Sequence, residues 1–576
     1  MIPLRLYRSL LSRYLRPLWA KVLVLGLLLL AGIALKVANP LAIRHFIDLA
    51  QTGGSLQALT MAGLLFLAVG LVVELLSVLA SYVGGDLGYR ATDRLRADLL
   101  HHTLSLDLSF HHRHTPGEMI ERLDGDVARL NDFFSQFTLL ILGNALLLIG
   151  ILAMFYREDW RMGAAFTVFC LISILLYSLL RERSTPHWKA QRRAQAQLSS
   201  YLEERLDGID DLRANAAPNY VVGGLCRLAR RDYRRGFTAH KVHGIVNFTT
   251  LIPNNLAAVI VLGVGAYLFM AGEMTIGTVY LCYHYCTMLL IPLQIFQHQI
   301  GALQQVAGSL QRIDELLQAT SALDQDRGKP VPTGAPQVEF AHTSFHYGSG
   351  EPVLDDFSLV LPAGRSLGLV GHTGSGKTTL TRLLFRFYDP TAGHIALDGQ
   401  ALRDFRLADL RRHIGLITQD VQFIRASLRD NLTFFDASVA DKRILTAVES
   451  LGLEPWLAAL PQGLDSELTP TALSAGQAQL LALTRVFLKD PGLVVLDEAS
   501  ARLDPLTQTL IETALTRLLT GRTSIVIAHR LHTLQRVDDI AVLDKGALLE
   551  YGRRRDLAQN PDSHLSRLLR NGLEGQ

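Results

Sequence analysis

Residues 371–378 read GHTGSGKT, the GxxxxGK[ST] spacing of a phosphate-binding loop. An apolar strand-like run (residues 367–370) precedes them and a helical pattern follows, which is the context this chemistry needs. Gly371, Thr373, Gly374, Ser375 and Gly376 would let backbone amides surround phosphates. Lys377 would reach the β- and γ-phosphates, the hydroxyl of Thr378 would bind Mg²⁺, and Thr379 after it would join the nucleotide-binding set. Downstream, residues 493–498 read LVVLDE, a buried strand that would deliver Asp497 to the metal and place Glu498 to polarise a water. Alone, an apolar strand ending in Asp-Glu is only a strand end. Phosphoryl transfer needs mostly positioning and charge neutralisation, so the two segments together would suffice.

Between them, residues 473–477 read LSAGQ at the head of the helical run AQLLALTRVFL. Here the chain resembles the ATP-binding cassette (ABC) family, whose signature is LSGGQ. The resemblance spans nearly the whole chain and is to the exporter branch, with fused membrane and ATPase domains. It implies that Tyr347 stacks on adenine and that Gln419 (ITQD) senses Mg²⁺ and water. It also implies that Asp504 (ARLD) crosses a dimer interface and that His529 (IVIAHRL) contacts the γ-phosphate. By the same resemblance Ser474, Gly476 and Gln477 act on ATP held by the opposite subunit. Glu498, His529 and Gln419 would then be catalytic, and Thr378, Gln419 and Asp497 would hold Mg²⁺. The loops near residues 111–117 and 206–211 resemble the family's coupling helices. Two departures stand out. Ala475 replaces the first glycine of the signature pair, and ELTPTA (residues 467–472) lacks the acidic, glycine-rich pattern of many exporters. An altered signature beside retained Glu498 and His529 points to a heterodimer with a second half-transporter; a homodimer stays open.

The elements that must position these residues follow from composition. The chain has 576 residues, 49% of them hydrophobic, too long for one compact domain and too apolar for an ordinary soluble enzyme. Net charge is +3, from 56 basic and 53 acidic residues, and gives no concentrated basic face for nucleic acid. Six apolar segments (about 19–41, 59–82, 137–156, 162–180, 245–270 and 275–296) approach the roughly 20 residues a membrane helix needs. Arginines and lysines concentrate in 84–135 and 181–241, which places both loops and both termini in the cytoplasm of a multi-pass protein of the cytoplasmic membrane. The expected organisation is an interfacial N-terminal helix (1–18), an all-α six-helix transmembrane domain with helical stalks (19–315), a linker (316–337) and an α/β P-loop ATPase (338–576).

Lys36 and Glu74 fall at comparable depth in the first two spans and are expected to pair. Pro253, Asn254, Asn255, Pro292, Gln294, His298 and Gln299 mark either kinked, path-lining helices or plain bundle packing. Cys282 and Cys286, flanking His284, share a helix face; helix packing is favoured over a soft-metal site. The function expected is ATP-driven export or flipping of a substrate, with ATP and Mg²⁺ as cofactors and a lipid bilayer as surroundings. The alternative is a non-transporting channel or regulatory membrane protein. The six spans argue against a soluble DNA-maintenance ATPase. The substrate stays open among drugs, lipids, peptides and metal chelates.

Overall fold

The computed structural model describes residues 12–323, 328–348, 350–418, 421–469, 473–497, 505–528 and 533–571. The side chains of residues 134, 136–139, 177, 178, 180–182, 246, 247, 249–254, 297–305, 505, 506, 533 and 571 also lie outside the description. Two units emerge: residues up to 105 with Thr115–Ala319, and Leu106–His114 with residues from Thr320 onward.

The first unit is helical. α1 (Trp19–Gln51) and α2 (Leu56–Ser105) form an antiparallel hairpin closed at Gly53, whose φ of 75° suits glycine. At 1.5 Å per residue, the 50 residues of α2 span about 75 Å, far beyond a hydrocarbon core of about 30 Å, so the helix continues as a stalk. α3 is Leu108–Arg113. Residues 116–158 are one helical run, in which π-helical Glu121–Gly125 and Phe133–Leu142 separate α4 (Pro116–Ile120), α5 (Asp126–Asp132) and α6 (Gly143–Glu158). Then come α7 (Trp160–Asp207), α8 (Ile209–Ala214), α9 (Pro218–Met270) and α10 (Ile276–Gln318). Asp159 caps α7 by accepting from the amides of Arg161 and Met162, and Thr275 caps α10 through the amide of Thr278.

Among the described residues, four helices are long and apolar enough to cross a membrane, and shorter apolar stretches, Trp160–Leu176 and Asn255–Met270, lie in α7 and α9. Phe155 stacks on Phe166 at 4.2 Å between ring centres, and fully buried Tyr285 donates its hydroxyl to the Val37 carbonyl at 2.8 Å. Cys170, Cys282 and Cys286 are buried in this apolar cluster, and among the described residues no His/Cys/Asp/Glu group forms a metal cage. α10 stays helical through Pro292, and its neighbours Leu289 and Leu293 are core residues, while Gln294 is exposed. Asn255 is exposed on α9; the side chains of Pro253, Asn254, His298 and Gln299 lie outside the described set.

The expected ion pair between Lys36 and Glu74 is not formed. Each side chain is exposed, and among the described residues neither has an ionic partner. Depth alone set that expectation, whereas an ion pair also requires the two charged ends to come within about 4 Å, which a shared level does not ensure. Charge is instead clamped in the stalk. Asp126 is fully buried and accepts from Ser309 Oγ at 2.8 Å, Arg312 Nε at 2.8 Å and Arg129 Nη1 at 2.7 Å. At the N-terminus, Tyr14 donates to Asp98 at 2.9 Å and Lys21 pairs with Asp86, so the entry segment is strapped to α2.

The second unit is α/β. β1 (Val338–His346), β2 (Pro352–Leu361), β4 (Ala392–Leu397) and β5 (Gln400–Ala401) form an antiparallel sheet in the order β2-β1-β4-β5. Before β4 in the chain lies β3 (Ser366–Gly371). It joins β6 (Ile414–Ile417), β9 (Leu493–Asp497), β10 (Thr523–Ile527), β11 (Asp539–Asp544) and β12 (Ala547–Arg553) in the order β12-β11-β3-β10-β9-β6. A two-stranded pair, β7 (Ala426–Ser427) and β8 (Glu467–Leu468), stands apart. All pairings of the six-stranded sheet except β11–β12 are parallel, and β10 is buried throughout and β9 up to its terminal Asp497, as central strands covered on both faces are. Packed around the sheets are α11 (Lys377–Leu384), α12 (Ala475–Lys489) and α13 (Pro505–Leu519). α3 groups with this unit. Asp107 caps it through the amide of Phe110 at 2.9 Å and accepts the amide of Ala322 at 2.7 Å, while Leu108 packs on the core around Phe345 and Tyr388. Burial would raise the Asp107 carboxyl, but these amides outweigh it and hold its pKa below the usual carboxylate value.

Candidate nucleotide site

Parallel strands align their C-terminal ends, and ligands of open α/β sheets bind beyond that edge. Here the edge is set by register: Leu369 on β3 lies beside Ile527 on β10, and Ile527 beside Asp497 on β9. β3 ends in Gly371, and the chain turns through Thr373, Gly374, Ser375 and Gly376 into Lys377, the first residue of α11. Gly374 and Gly376 have φ of 85° and 103°, left-handed values that glycine adopts freely. A Cβ on Gly376 would also lie 2.7 Å from Leu354 Cδ2, so the loop needs glycine twice over.

The loop gathers donors where a helix begins. Lys377 is 5% exposed, and its Nζ donates to the carbonyls of Gly371 at 2.7 Å and His372 at 2.9 Å. Burial pushes the Lys377 ammonium below an ordinary lysine pKa, while the charge of Asp497 pulls the other way. Asp497 ends β9, and the register of β9, β10 and β3 sets it at the same sheet edge as the loop. Thr378 and Thr379 follow in the first turn of α11. Tyr347, after β1, meets Thr379 Oγ1 at 3.2 Å through its hydroxyl and accepts from Arg382 Nη1 at 3.3 Å; its ring stands edge-on to Phe345 and Tyr388.

Ser474, Gly476 and Gln477 occupy the N-terminus of α12. Ser474 Oγ accepts the Gln477 amide at 3.2 Å, and Gln477 Oε1 accepts the Ser474 amide at 3.0 Å, a capping box. The box uses Ser474 Oγ only as acceptor, so its own proton stays available to an anion at a helix end that favours one. Ala475 is the first helical residue and is exposed. The structure thus joins Tyr347, Lys377, Thr379 and Asp497 around one loop, with Ser474, Gly476 and Gln477 presented on a separate helix end. Gln419, Glu498, Asp504 and His529 lie outside the described residues.

Sequence reasoning missed two supports. Arg485 on α12 lies between the rings of Phe423 (4.3 Å) and Phe434 (4.8 Å) and donates to the carbonyls of Asn431 (2.7 Å) and Gln422 (2.9 Å). Burial pushes its guanidinium pKa down to about 10. It binds the signature helix to the segment after β6, where Phe434 and Phe435 both adopt left-handed φ in a constrained turn that no sequence signal marks. The second support is Arg382, one helical turn from Thr378, which gave no signal beyond being basic.

Residues 22–291 match the family model for the ABC transporter transmembrane region, and residues 354–501 match the ABC transporter model. An ABC transporter ATP-binding protein of Bacillus subtilis, itself uncharacterised, is 30% identical over 556 residues, covering 94% of this chain and 91% of that protein. The chain belongs to the ABC transporter family. A fatty acid ABC transporter ATP-binding/permease protein of Mycobacterium bovis is 28% identical over 466 residues, covering 81% of this chain and 74% of that protein. Among solved structures, a bacterial Atm1-family ABC exporter with ATP bound has a TM-score of 0.78 at 25% identity, covering 96% of this chain and 97% of the other. This ABC protein is therefore an ATP-driven, multi-pass membrane exporter with its helical membrane domain and ATP-binding cassette in one chain.

Proposed function

We propose that this chain is one half of a dimeric exporter in which two cassettes close on ATP and Mg²⁺, with Lys377 of one cassette and Ser474 of the other on opposite sides of the nucleotide. The observation that carries this is the phosphate loop itself: a glycine turn entering a helix, a buried lysine within it and a strand-end carboxylate at the same sheet edge. Tyr347 offers a ring for the base. Thr378 and Asp497, with Gln419, supply hydroxyl, carboxylate and amide oxygens, the hard donors that Mg²⁺ takes. Bound there, Mg²⁺ would neutralise phosphate charge. Glu498 orients the attacking water, and His529 contacts the γ-phosphate.

Glu498→Gln tests the assignment. It is expected to retain ATP binding and lose turnover; hydrolysis at the wild-type rate would remove Glu498 from this role. The reading favours a heterodimer, because Ala475 puts a methyl group on the exposed face of the signature turn while Glu498 and His529 are kept. Co-purification of a different half-transporter from the native host supports it; an active complex of this chain alone refutes it. The loops rich in arginine and lysine place both termini in the cytoplasm. A relative named for fatty acids and others named for multidrug export fit an apolar or amphiphilic cargo.

A further inference from the structure

α1 measures about 50 Å, and Lys36 stands near its midpoint. The seam between α1 and α2 is fixed by two close approaches: Gly32 lies against Leu76, and Asn39 against Gly70. In that antiparallel register Lys36 and Glu74 share one level. Both project off the seam, and the helical phase of about 100° per residue turns them to the same flank of the pair. Both side chains are exposed, and among the described residues no ion pair joins them. Little of either span is covered by the rest of the chain. A third polar group lies beside them: the Asn39 side-chain oxygen is buried and, among the described residues, has no hydrogen-bond partner.

Opposite charges in mid-membrane, each unneutralised by its own chain, are strongly disfavoured against hydrocarbon and mark a polar path. We propose that Lys36 and Glu74 clamp the head group of the exported molecule, which is a zwitterionic amphiphile: an apolar body carrying one anionic and one cationic group. Lys36 takes the anion, Glu74 takes the cation, and the apolar surfaces of α1 and α2 take the chain. This rests on the export reading above and adds the substrate class. A singly charged amphiphile would leave one intramembrane charge unmet, so the site discriminates by head group and not by apolar bulk.

The test uses the full-length exporter complex purified from its native host, with any half-transporter that accompanies this chain, in lipid nanodiscs, and three ten-carbon amphiphiles below their micellar concentrations: a phosphocholine, a trimethylammonium and a monophosphate. Stimulation of ATP hydrolysis gives a half-maximal concentration for each. The expected result is a value at least tenfold lower for the phosphocholine than for either singly charged probe. Lys36→Met should move the preference to the trimethylammonium probe, and Glu74→Gln to the monophosphate. The ratio between probes is read within each variant, so differences in folded amount cancel; Lys36→Gln serves if the methionine variant does not accumulate. Equal half-maximal concentrations in the wild type overturn the proposal, as do variants with unchanged preference. If Lys36→Glu and Glu74→Lys are each inactive and the double swap recovers wild-type behaviour, the two charges serve each other and the clamp is wrong. A wild type that hydrolyses ATP but ignores head-group charge rejects only this inference. A wild type with no ATP hydrolysis rejects the export reading beneath it.

Discussion

Replacing Asp126 by asparagine keeps the volume of the side chain and removes the charge on which the stalk cluster closes. The carboxylate is fully buried and receives Ser309, both nitrogen arms of Arg312 and one of Arg129. Hydrogen bonds to charged groups contribute about 1.5–3 kcal/mol each, but they are not additive within one network. Breaking a buried ion pair from one side costs about 3–5 kcal/mol. The lower end applies because the Arg129 and Arg312 side chains are 41% and 42% exposed and can rehydrate. Asp126→Asn is therefore expected to destabilise the membrane unit by about 3 kcal/mol, a fall in its unfolding temperature of roughly 6 °C. The assay is thermal unfolding in detergent at one fixed scan rate, since unfolding of such proteins is a rate process as much as an equilibrium. Arg312→Met should cost a similar amount, and the double variant about 2 kcal/mol less than the sum, because neither charge is then orphaned. Additive losses would refute the reasoning. The pH dependence has a definite sign. Burial would raise the Asp126 carboxyl, but Arg312 and Ser309 outweigh it and hold its pKa below the usual value. Its stabilisation is thus complete above the unfolded pKa of about 3.9 and is lost as pH falls through the folded value. Asp126→Asn should flatten that acid limb.

Gly277→Ala tests the end of the bundle where α1, α6 and α10 meet: a Cβ would overlap the Asp48 carboxylate, which accepts the Gly277 amide at 3.1 Å, and the Arg44 carbonyl. Because Arg44 also pairs with Glu158 at 2.7 Å, the variant should free that end of the bundle, read as faster cleavage or labelling of the α9–α10 turn. Tyr347→Ala should raise the KM for ATP about tenfold, since base stacking on an aromatic ring is worth about 1–3 kcal/mol, whereas Tyr347→Phe should change it little. Ser474→Ala removes the capping box and should destabilise the cassette by about 1 kcal/mol while lowering ATP turnover by much more, which separates the cap from phosphate contact. Ala475→Gly should raise turnover in the purified complex despite a slightly weaker helix start; unchanged turnover would show that the exposed methyl does not hinder nucleotide.

The cassette was legible because its chemistry is local. GHTGSGKT carries its own strand, glycine turn and helix start within a dozen residues, and each of those features depends on backbone conformations that sequence reports directly. The apolar spans were legible for a similar reason, since length and composition alone separate them from soluble helices. Ser474 and Gln477 stood three apart as a capping box does, so the helix start after the signature could be read as well.

What escaped depends on how side-chain ends meet and on partners far along the chain. Counting residues from the hairpin placed Lys36 and Glu74 at one depth, but a shared depth does not bring two charged ends into contact, and the two are exposed side chains and not an ion pair. Asp126 is one of several acids in EMIERLDGDVARL, and nothing in that run distinguishes it. Its burial comes from Ser309 and Arg312, more than 180 positions away. Asp107 shows the same limit from the other side. Its place before LSFHHR marks a short capped helix, but a six-residue helix has little stability alone. Its second oxygen takes the Ala322 amide, 215 positions later, and Leu108 packs on a core built from β1 and the segment after α11. A substitution at Asp107 should therefore disturb the cassette's own packing, although the residue sits among the membrane helices in sequence.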